Sequence, residues 1–389
     1  MRKILCFLFL LSTYFGLAKQ LELSPGVQIS ILTIGPGEAL NDSFGHSAIR
    51  IKDERFDYVF NYGVFDFDEP GFYTEFAQGK LNYKLGINQF DSFLDNYIFQ
   101  NRWIKEQVLN LTINEQKRIF EFLMNNAKPE NKHYLYDFFF DNCATKPRDV
   151  IQNGLTEPMN LIEPDNFEAK SFRKLIHSHV KQNSWGSLGI DVALGSVIDK
   201  KATAKEHMFL PIYVFEFFEK ATKQDGSILV SNSTVLFQNE ERQKKSNFLI
   251  SPLMIFGILA LLIIWVTYSD FKRGKRRKWL DISIFIVTGA IGVGLFLLWF
   301  ATNHTATAFN YNLLWAFALN IFVVGQLFKT VVKKWFINYL KFLVILLSLL
   351  TLHWFIGVQV FAIGLIPFLI ALLVRYLFLI KSLETSNPN

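Results

Sequence analysis

Cys143 lies in the segment Asp141-Asn142-Cys143-Ala144-Thr145, directly after the aromatic run Phe138-Phe139-Phe140. If Asp141 or Asn142 caps a helix, Cys143 falls on its first turn. The free N–H groups and partial positive charge of a helix start favour a thiolate, the reactive form of cysteine. The same N–H groups can hold an oxyanion. A cysteine that attacks a carbonyl also needs a base. The histidines ahead of the apolar half are His46, His133, His177, His179 and His207. His46 is the best placed, because Phe44-Gly45-His46-Ser47 opens a strand and its glycine permits close backbone approach. His133 reads as loop surface. His177 and His179 form a His-x-His pair without an acidic or cysteine partner at ligand spacing, so no metal is expected.

The elements that must position this pair are read from the flanking pattern. Residues 27–34 are β-branched and apolar and end at Gly35-Pro36-Gly37, which predicts a strand. Residues 44–51 predict a second strand, 52–55 a polar turn, and 57–64 its hairpin partner. With the turn centred near Asp53 and Glu54, His46 lies across from about Asn61, within reach of a cross-strand contact. Residues 81–87 read as a further strand before a largely helical stretch. Residues 114–126 predict a helix capped by Thr112, with Ile119, Phe120, Phe122 and Leu123 on its apolar face. Residues 147–183 mix helix and loop, 184–199 are rich in glycine and small residues, and 212–218 are aromatic.

The chain has two parts, since nearly all its long uncharged runs follow Phe248. Five spans are expected, at 249–268, 282–301, 313–328, 342–356 and 360–380; the third and fourth are short for a hydrocarbon core. Lys272, Arg273, Lys275, Arg276, Arg277 and Lys278 crowd the first loop, and Lys329, Lys333, Lys334 and Lys341 the third. Short basic loops stay cytoplasmic, which puts residues 19–237 outside, joined through a linker at 238–248 to a bundle at 249–380 with a cytoplasmic tail at 381–389. The net charge of +6 is then largely a loop effect, and no nucleic-acid partner is expected.

At the N-terminus, Arg2 and Lys3 precede an apolar run over residues 4–15 and the small-residue site Gly16-Leu17-Ala18, the pattern of a signal peptide over 1–18. Cys6, the other of the two cysteines, leaves with it. Cys143 is then a lone thiol in an oxidising compartment, either buried and inert or present for its chemistry.

Phe44-Gly45-His46-Ser47, Asn61-Tyr62-Gly63 and Asp141-Asn142-Cys143-Ala144-Thr145 together resemble the extracytoplasmic domain of the Lnb-type lipoprotein N-acylation transferases. That domain is similar to circularly permuted NlpC-type papain-like enzymes, in which the histidine strand precedes the cysteine helix. The resemblance covers about residues 21–211, and the bundle after it resembles some members as well. It implies an α+β, permuted papain-like domain with Cys143 as nucleophile and His46 as base. In related enzymes a third, polar residue on the neighbouring strand orients the histidine. Asn61 fits that role by register and Tyr62 by its hydroxyl, and a one-residue slip would exchange them, so the choice stays open.

The expected activity is thiol acyltransfer: a fatty acyl group moves from a phospholipid or a diacylglyceryl lipoprotein, through an acyl-cysteine, to the N-terminal cysteine amine of a lipoprotein. Membrane lipids and lipoproteins are the expected partners, and the chemistry calls for no cofactor. Asn142 beside the thiol, and His304, Asn310 and Asn312 in the outward loop 302–312, are expected to bind substrate. The expected location is the bacterial inner membrane, multi-pass, with the soluble domain facing the periplasm or cell exterior. The alternatives are a membrane-anchored peptidase or amidase acting on cell-wall peptides, which gains little from five spans, and a non-enzymatic envelope scaffold.

Overall fold

The computed structural model describes residues 23–65, 68, 70–240 and 248–386. The expected signal peptide and most of the expected linker lie outside the described residues.

The alternating apolar runs form β1 (Gln28–Ile34), β2 (His46–Lys52) and β3 (Asp57–Val64), all antiparallel. Asp53 closes the β2–β3 turn by accepting the N–H groups of Ser24 and Arg55. Helix α1 (Phe72–Gln78) leads into β4 (Asn82–Gln89), then α2 (Phe90–Phe99), β5 (Ile104–Leu109), α3 (Ile113–Asn126) and β6 (His133–Leu135). After these come α4 (Thr145–Gly154), α5 (Phe172–His177), α6 (Trp185–Ala193), α7 (Ala204–His207), α8 (Pro211–Lys220) and β7 (Val230–Phe237). The strands make one sheet in the order β6-β4-β3-β2-β1-β5-β7.

Sequence pattern accounts for which face each helix covers. On one face Ile29, Ile31, Ile49, Ile51 and Phe60 pack against Ile119 and Leu123 of α3, Ile151 of α4 and Phe217 of α8. On the other, Leu32, Ile34, Ala48 and Val59 meet Phe90, Phe93 and Tyr97 of α2. Helix α3 starts where expected, in a capping box between Thr112 and Glu115. The apolar residues of both faces are almost wholly removed from water, each such side chain contributing about 1.5–3 kcal/mol.

Among the described residues, the C-terminal part holds four helices long and apolar enough to cross a membrane: α9 (Pro252–Arg273), α10 (Lys278–Phe300), α12 (Lys334–Phe355) and a last one over Ile363–Thr385, of which α13 (Ile366–Ser386) is the α-helical part. The third expected span, 313–328, is not a continuous helix. It comprises 3-10 turns at Tyr311–Leu314 and Val324–Gln326 around the short α11 (Asn320–Val323). Polar residues interrupt this run, and their demands are met inside the protein: Asn320 Nδ2 donates to Thr288 Oγ1 at 2.9 Å and its Oδ1 accepts from Tyr339 at 2.6 Å. Irregular backbone at membrane depth is tolerated where protein surrounds it. Gly289 and Gly292 of α10 provide the room, since a Cβ at Gly289 would lie 2.4 Å from Ile321 N and one at Gly292 2.6 Å from Ala318 N.

At the end of the bundle remote from the sheet, Arg375 of α13 is fully buried between two acids, with Nε 2.7 Å from Asp281 and Nη1 2.9 Å from Asp270. Arg276 and Arg277 complete the cluster. The basic loop 274–278 meets the end of the broken run there, because Arg276 and Lys278 donate to the carbonyls of Leu327 and Phe328.

Candidate active site

His46 opens β2 and Asn61 lies within β3. The ladder pairs Ile49 with Phe60, so Asn61 stands beside Ala48 and diagonal to His46 on the same face. The offset from the expected register is two residues, which preserves the face. His46 Nε2 and Asn61 Oδ1 are 2.6 Å apart. An amide oxygen only accepts, so Nε2 carries the proton and Nδ1 keeps the lone pair that a base needs. The imidazole also stacks on Tyr97, with centroids 6.2 Å apart. Tyr62 points to the opposite face, where it is buried and donates to Asn126 Oδ1 at 2.6 Å. Of the two residues left open by the sequence, Asn61 meets the histidine and Tyr62 does not.

Cys143 precedes α4 by two residues and is not on its first turn. Asn142 makes the connection: its Oδ1 accepts the N–H groups of Ala144 and Thr145 at 2.8 and 2.9 Å, and its Nδ2 donates to Phe138 O and Phe209 O at 2.7 and 2.8 Å. The side chain is buried with both ends spent, so Asn142 braces the thiol segment and has no group left for substrate. The helix-start N–H groups expected to hold an oxyanion are consumed by the same bonds. The backbone N–H groups that favour the thiolate are those of Ser47 and of Cys143 itself.

These bonds bring the two strands and the thiol segment together. The backbone N–H of Ser47, adjacent to His46, favours the thiolate of Cys143. Gly63, two residues past Asn61, has φ +88°, and a Cβ there would stand 3.4 Å from Cys143 Cβ. Both Cys143 and His46 retain some exposed surface. Burial among aromatic rings raises the thiol pKa to about 11, against the pull of the two N–H groups and the Arg102 charge. Burial likewise lowers His46 to about 4, opposed by the bond to Asn61 and reinforced by Arg102. Both shifts favour the uncharged forms, thiol and imidazole.

Arg102 also lies close enough for its charge to act on both Cys143 and His46. It is buried, donates to Gly35 O at 2.8 Å and Gln100 Oε1 at 3.1 Å, and lies 4.8 Å from the centre of the Tyr97 ring. No periodicity marks an arginine that follows a helix as buried; the flanking Trp103 is the only local hint.

The remaining expected residues are elsewhere. Asn310 donates to the carbonyls of Val192 and Ala193, and Asn312 to those of Asp191 and Val192. Both are buried, and they fasten the outward loop to α6 instead of presenting amides to a lipid. His304 Nε2 lies 3.0 Å from Phe76 O of α1. Next to it Thr305 Oγ1 donates to Asp137 Oδ2 at 3.1 Å, so the loop also touches the segment that leads to Cys143. His177 binds Asp191, whereas His179 lies within hydrogen-bond distance of Leu175 O and Ser178 Oγ, so the two rings serve separate partners.

The chain matches the family model described as the Lnb N-terminal periplasmic domain over residues 21–178 and that described as the Lnb transmembrane domain over residues 243–386. Neither a curated protein nor a solved structure matches it.

Proposed function

Because the chain belongs to the Lnb family, with a periplasmic domain ahead of a transmembrane region, we propose that it is a cysteine-dependent lipoprotein N-acyltransferase. The observation that carries this reading is the contact between the thiol segment and the bundle: Thr305 of the outward loop bonds Asp137, six residues before Cys143. A nucleophile held at the outer end of a membrane bundle suits a substrate whose reacting ester lies at the bilayer surface.

In the first half-reaction the Cys143 sulfur attacks the ester carbonyl of a phospholipid or of a diacylglyceryl lipoprotein. The thiol proton passes to His46 Nδ1 as the S–C bond forms. The backbone N–H groups of Ser47 and Cys143, which favour negative charge at the sulfur, are the donors for the oxyanion. Collapse breaks the C–O bond, and His46 returns the proton to the leaving alcohol. In the second half the amine of a lipoprotein's N-terminal cysteine attacks the thioester, His46 takes a proton from it, and the S–C bond breaks to give the amide and a thiolate that regains the proton. Asn61 holds the imidazole in the required tautomer throughout. Ping-pong kinetics follow.

The proposal includes a permuted papain-like domain, in which the histidine strand comes before the thiol segment, as it does here. It also includes a multi-pass inner-membrane location in which the broken run 313–328 makes a fifth crossing, carrying the chain from the outward loop to the basic end.

The deciding experiment expresses the protein in cells depleted of their own lipoprotein N-acylation and reads mature lipoprotein N-termini by mass spectrometry. N-acylated termini with the wild type, absent with Cys143→Ala and with His46→Ala, are expected. Free amines with the wild type present would overturn the reading.

A further inference from the structure

Helix α1 has the sequence Phe-Tyr-Thr-Glu-Phe-Ala-Gln and buries none of its residues. Tyr73 is 72% exposed and Phe76 49%. Two large rings on one short helix are costly to leave in water, at about 25 cal/mol for each Å² of apolar surface. The helix is also bonded to the outer end of the bundle. Asn303 N–H donates to Gln78 O at 2.9 Å, beside the His304 contact with Phe76 O. Gly79 makes the approach possible, with φ +73° and a position at which a Cβ would come within 2.7 Å of His304 N. Asn303 and His304 follow the end of α10, where Trp299 and Phe300 stack at 4.6 Å, the aromatic type and place that mark a membrane–water interface. Continuity with that end puts α1 at the level of the outer leaflet.

From α1 a row of rings leads inward. Phe76 and Phe72 are 6.2 Å apart, Phe72 and Phe65 6.0 Å, Phe65 and Tyr83 4.8 Å, and Tyr83 and Tyr136 4.5 Å. At its inner end, the point where a Gly63 Cβ would stand is 3.8 Å from Tyr136 and 3.4 Å from Cys143 Cβ. We propose that α1 dips into the outer-leaflet interface and that this row is the track along which the acyl ester of an outer-leaflet phospholipid reaches Cys143. The second half of this statement rests on the acyltransfer reading; the first does not.

The test uses the full chain in phospholipid vesicles. With Cys6→Ser and Cys143→Ala as background, Tyr73→Cys carries an environment-sensitive fluorophore, and lipids bearing a shallow nitroxide are added. Severalfold quenching is expected; emission unchanged by the nitroxide lipid would overturn the membrane placement. In parallel, Tyr73→Ser with Phe76→Ser is expected to lower acylation of Cys143 from vesicle phospholipid about tenfold while leaving its acylation by water-soluble p-nitrophenyl acetate unchanged. An equal fall with both donors would overturn the track. Quenching at position 73 together with wild-type protein that never takes an acyl group from phospholipid would sustain the placement and overturn the track, while acyltransfer from a diacylglyceryl lipoprotein would still stand and is decided by the lipoprotein N-termini.

Discussion

At the residue scale, the candidate site depends on which way a two-residue pair faces. Asn61 bonds His46 and Tyr62 bonds Asn126 across the sheet, so substitutions should separate them. Asn61→Ala is expected to lower kcat by 10- to 100-fold with little change in KM, because the imidazole loses its orienting acceptor. Tyr62→Phe should leave turnover intact and cost about 1 kcal/mol of stability, measurable by chemical denaturation in detergent. The raised thiol and lowered imidazole give a pH prediction with a definite sign. A base must be unprotonated, so acylation of Cys143 by an ester donor should fall as pH drops through about 4 and be level between that value and about 11, whereas overall transfer should also fall below about pH 8, where the acceptor amine is protonated. Alkylation of Cys143 by iodoacetamide should keep accelerating up to pH about 11. A plateau in alkylation below pH 7 would instead reveal a preformed thiolate–imidazolium pair. Hairpin register narrowed the partner of His46 to Asn61 or Tyr62 and left the choice open, because a one-residue error exchanges their faces whereas the two-residue offset found here preserves them. Arg102 and the orientation of Asn142 were not legible, because both depend on segments distant in sequence, Gly35 and Phe209.

At the scale of elements, strands β1 to β4 and helix α3 follow from alternation, turn residues and a capping pair. The edge strand β7, Val-Ser-Asn-Ser-Thr-Val-Leu-Phe, is exposed over most of its length and shows no buried alternation, so nothing in its sequence announces a strand. The broken run 313–328 shows the opposite failure: its apolarity matches a span, but Asn312, Asn320 and Gly325 break the helix, and the protein around it meets the freed polar groups. Gly292→Leu is therefore expected to displace the run from α10 and destabilise the bundle by several kcal/mol, seen as lost monodispersity or a lowered Tm in detergent. Gly294→Leu, at an α10 glycine with open space around its Cβ position, should be nearly neutral. Asn142→Ala removes bonds at four partners and should cost about 2 kcal/mol or more along with most activity, since the thiol segment loses its tie to Phe209.

At the scale of the molecule, the soluble domain is fastened to the bundle by buried amides at Asn310 and Asn312 and by the contacts of residues 303–305 with α1 and Asp137. Combined Asn310→Ala and Asn312→Ala is expected to loosen this docking, with faster proteolysis around 185–195 and reduced transfer from lipid but a folded domain. Equal protease resistance in variant and wild type would show that the amides do not hold the interface. The two-part organisation was readable from apolarity. The docking was not, because amides that fasten backbone carbonyls look the same in sequence as amides that await a ligand.

The cluster at the far end of the bundle bears on how the chain is made. Asp270 and Asp281 belong to the first two long helices, and the arginine buried between them belongs to the last. During synthesis Arg276 and Arg277 emerge alongside the two acids, but the arginine buried between them follows about a hundred residues later. Until then the hydrophobic part carries two charges whose main counter-ion is missing, a costly state within a membrane. The final helix therefore acts as the closing element of assembly. A chain that ends before it, or one carrying Arg375→Leu, should be retained by insertion chaperones or degraded, even though every residue of the proposed chemistry would already have been translated.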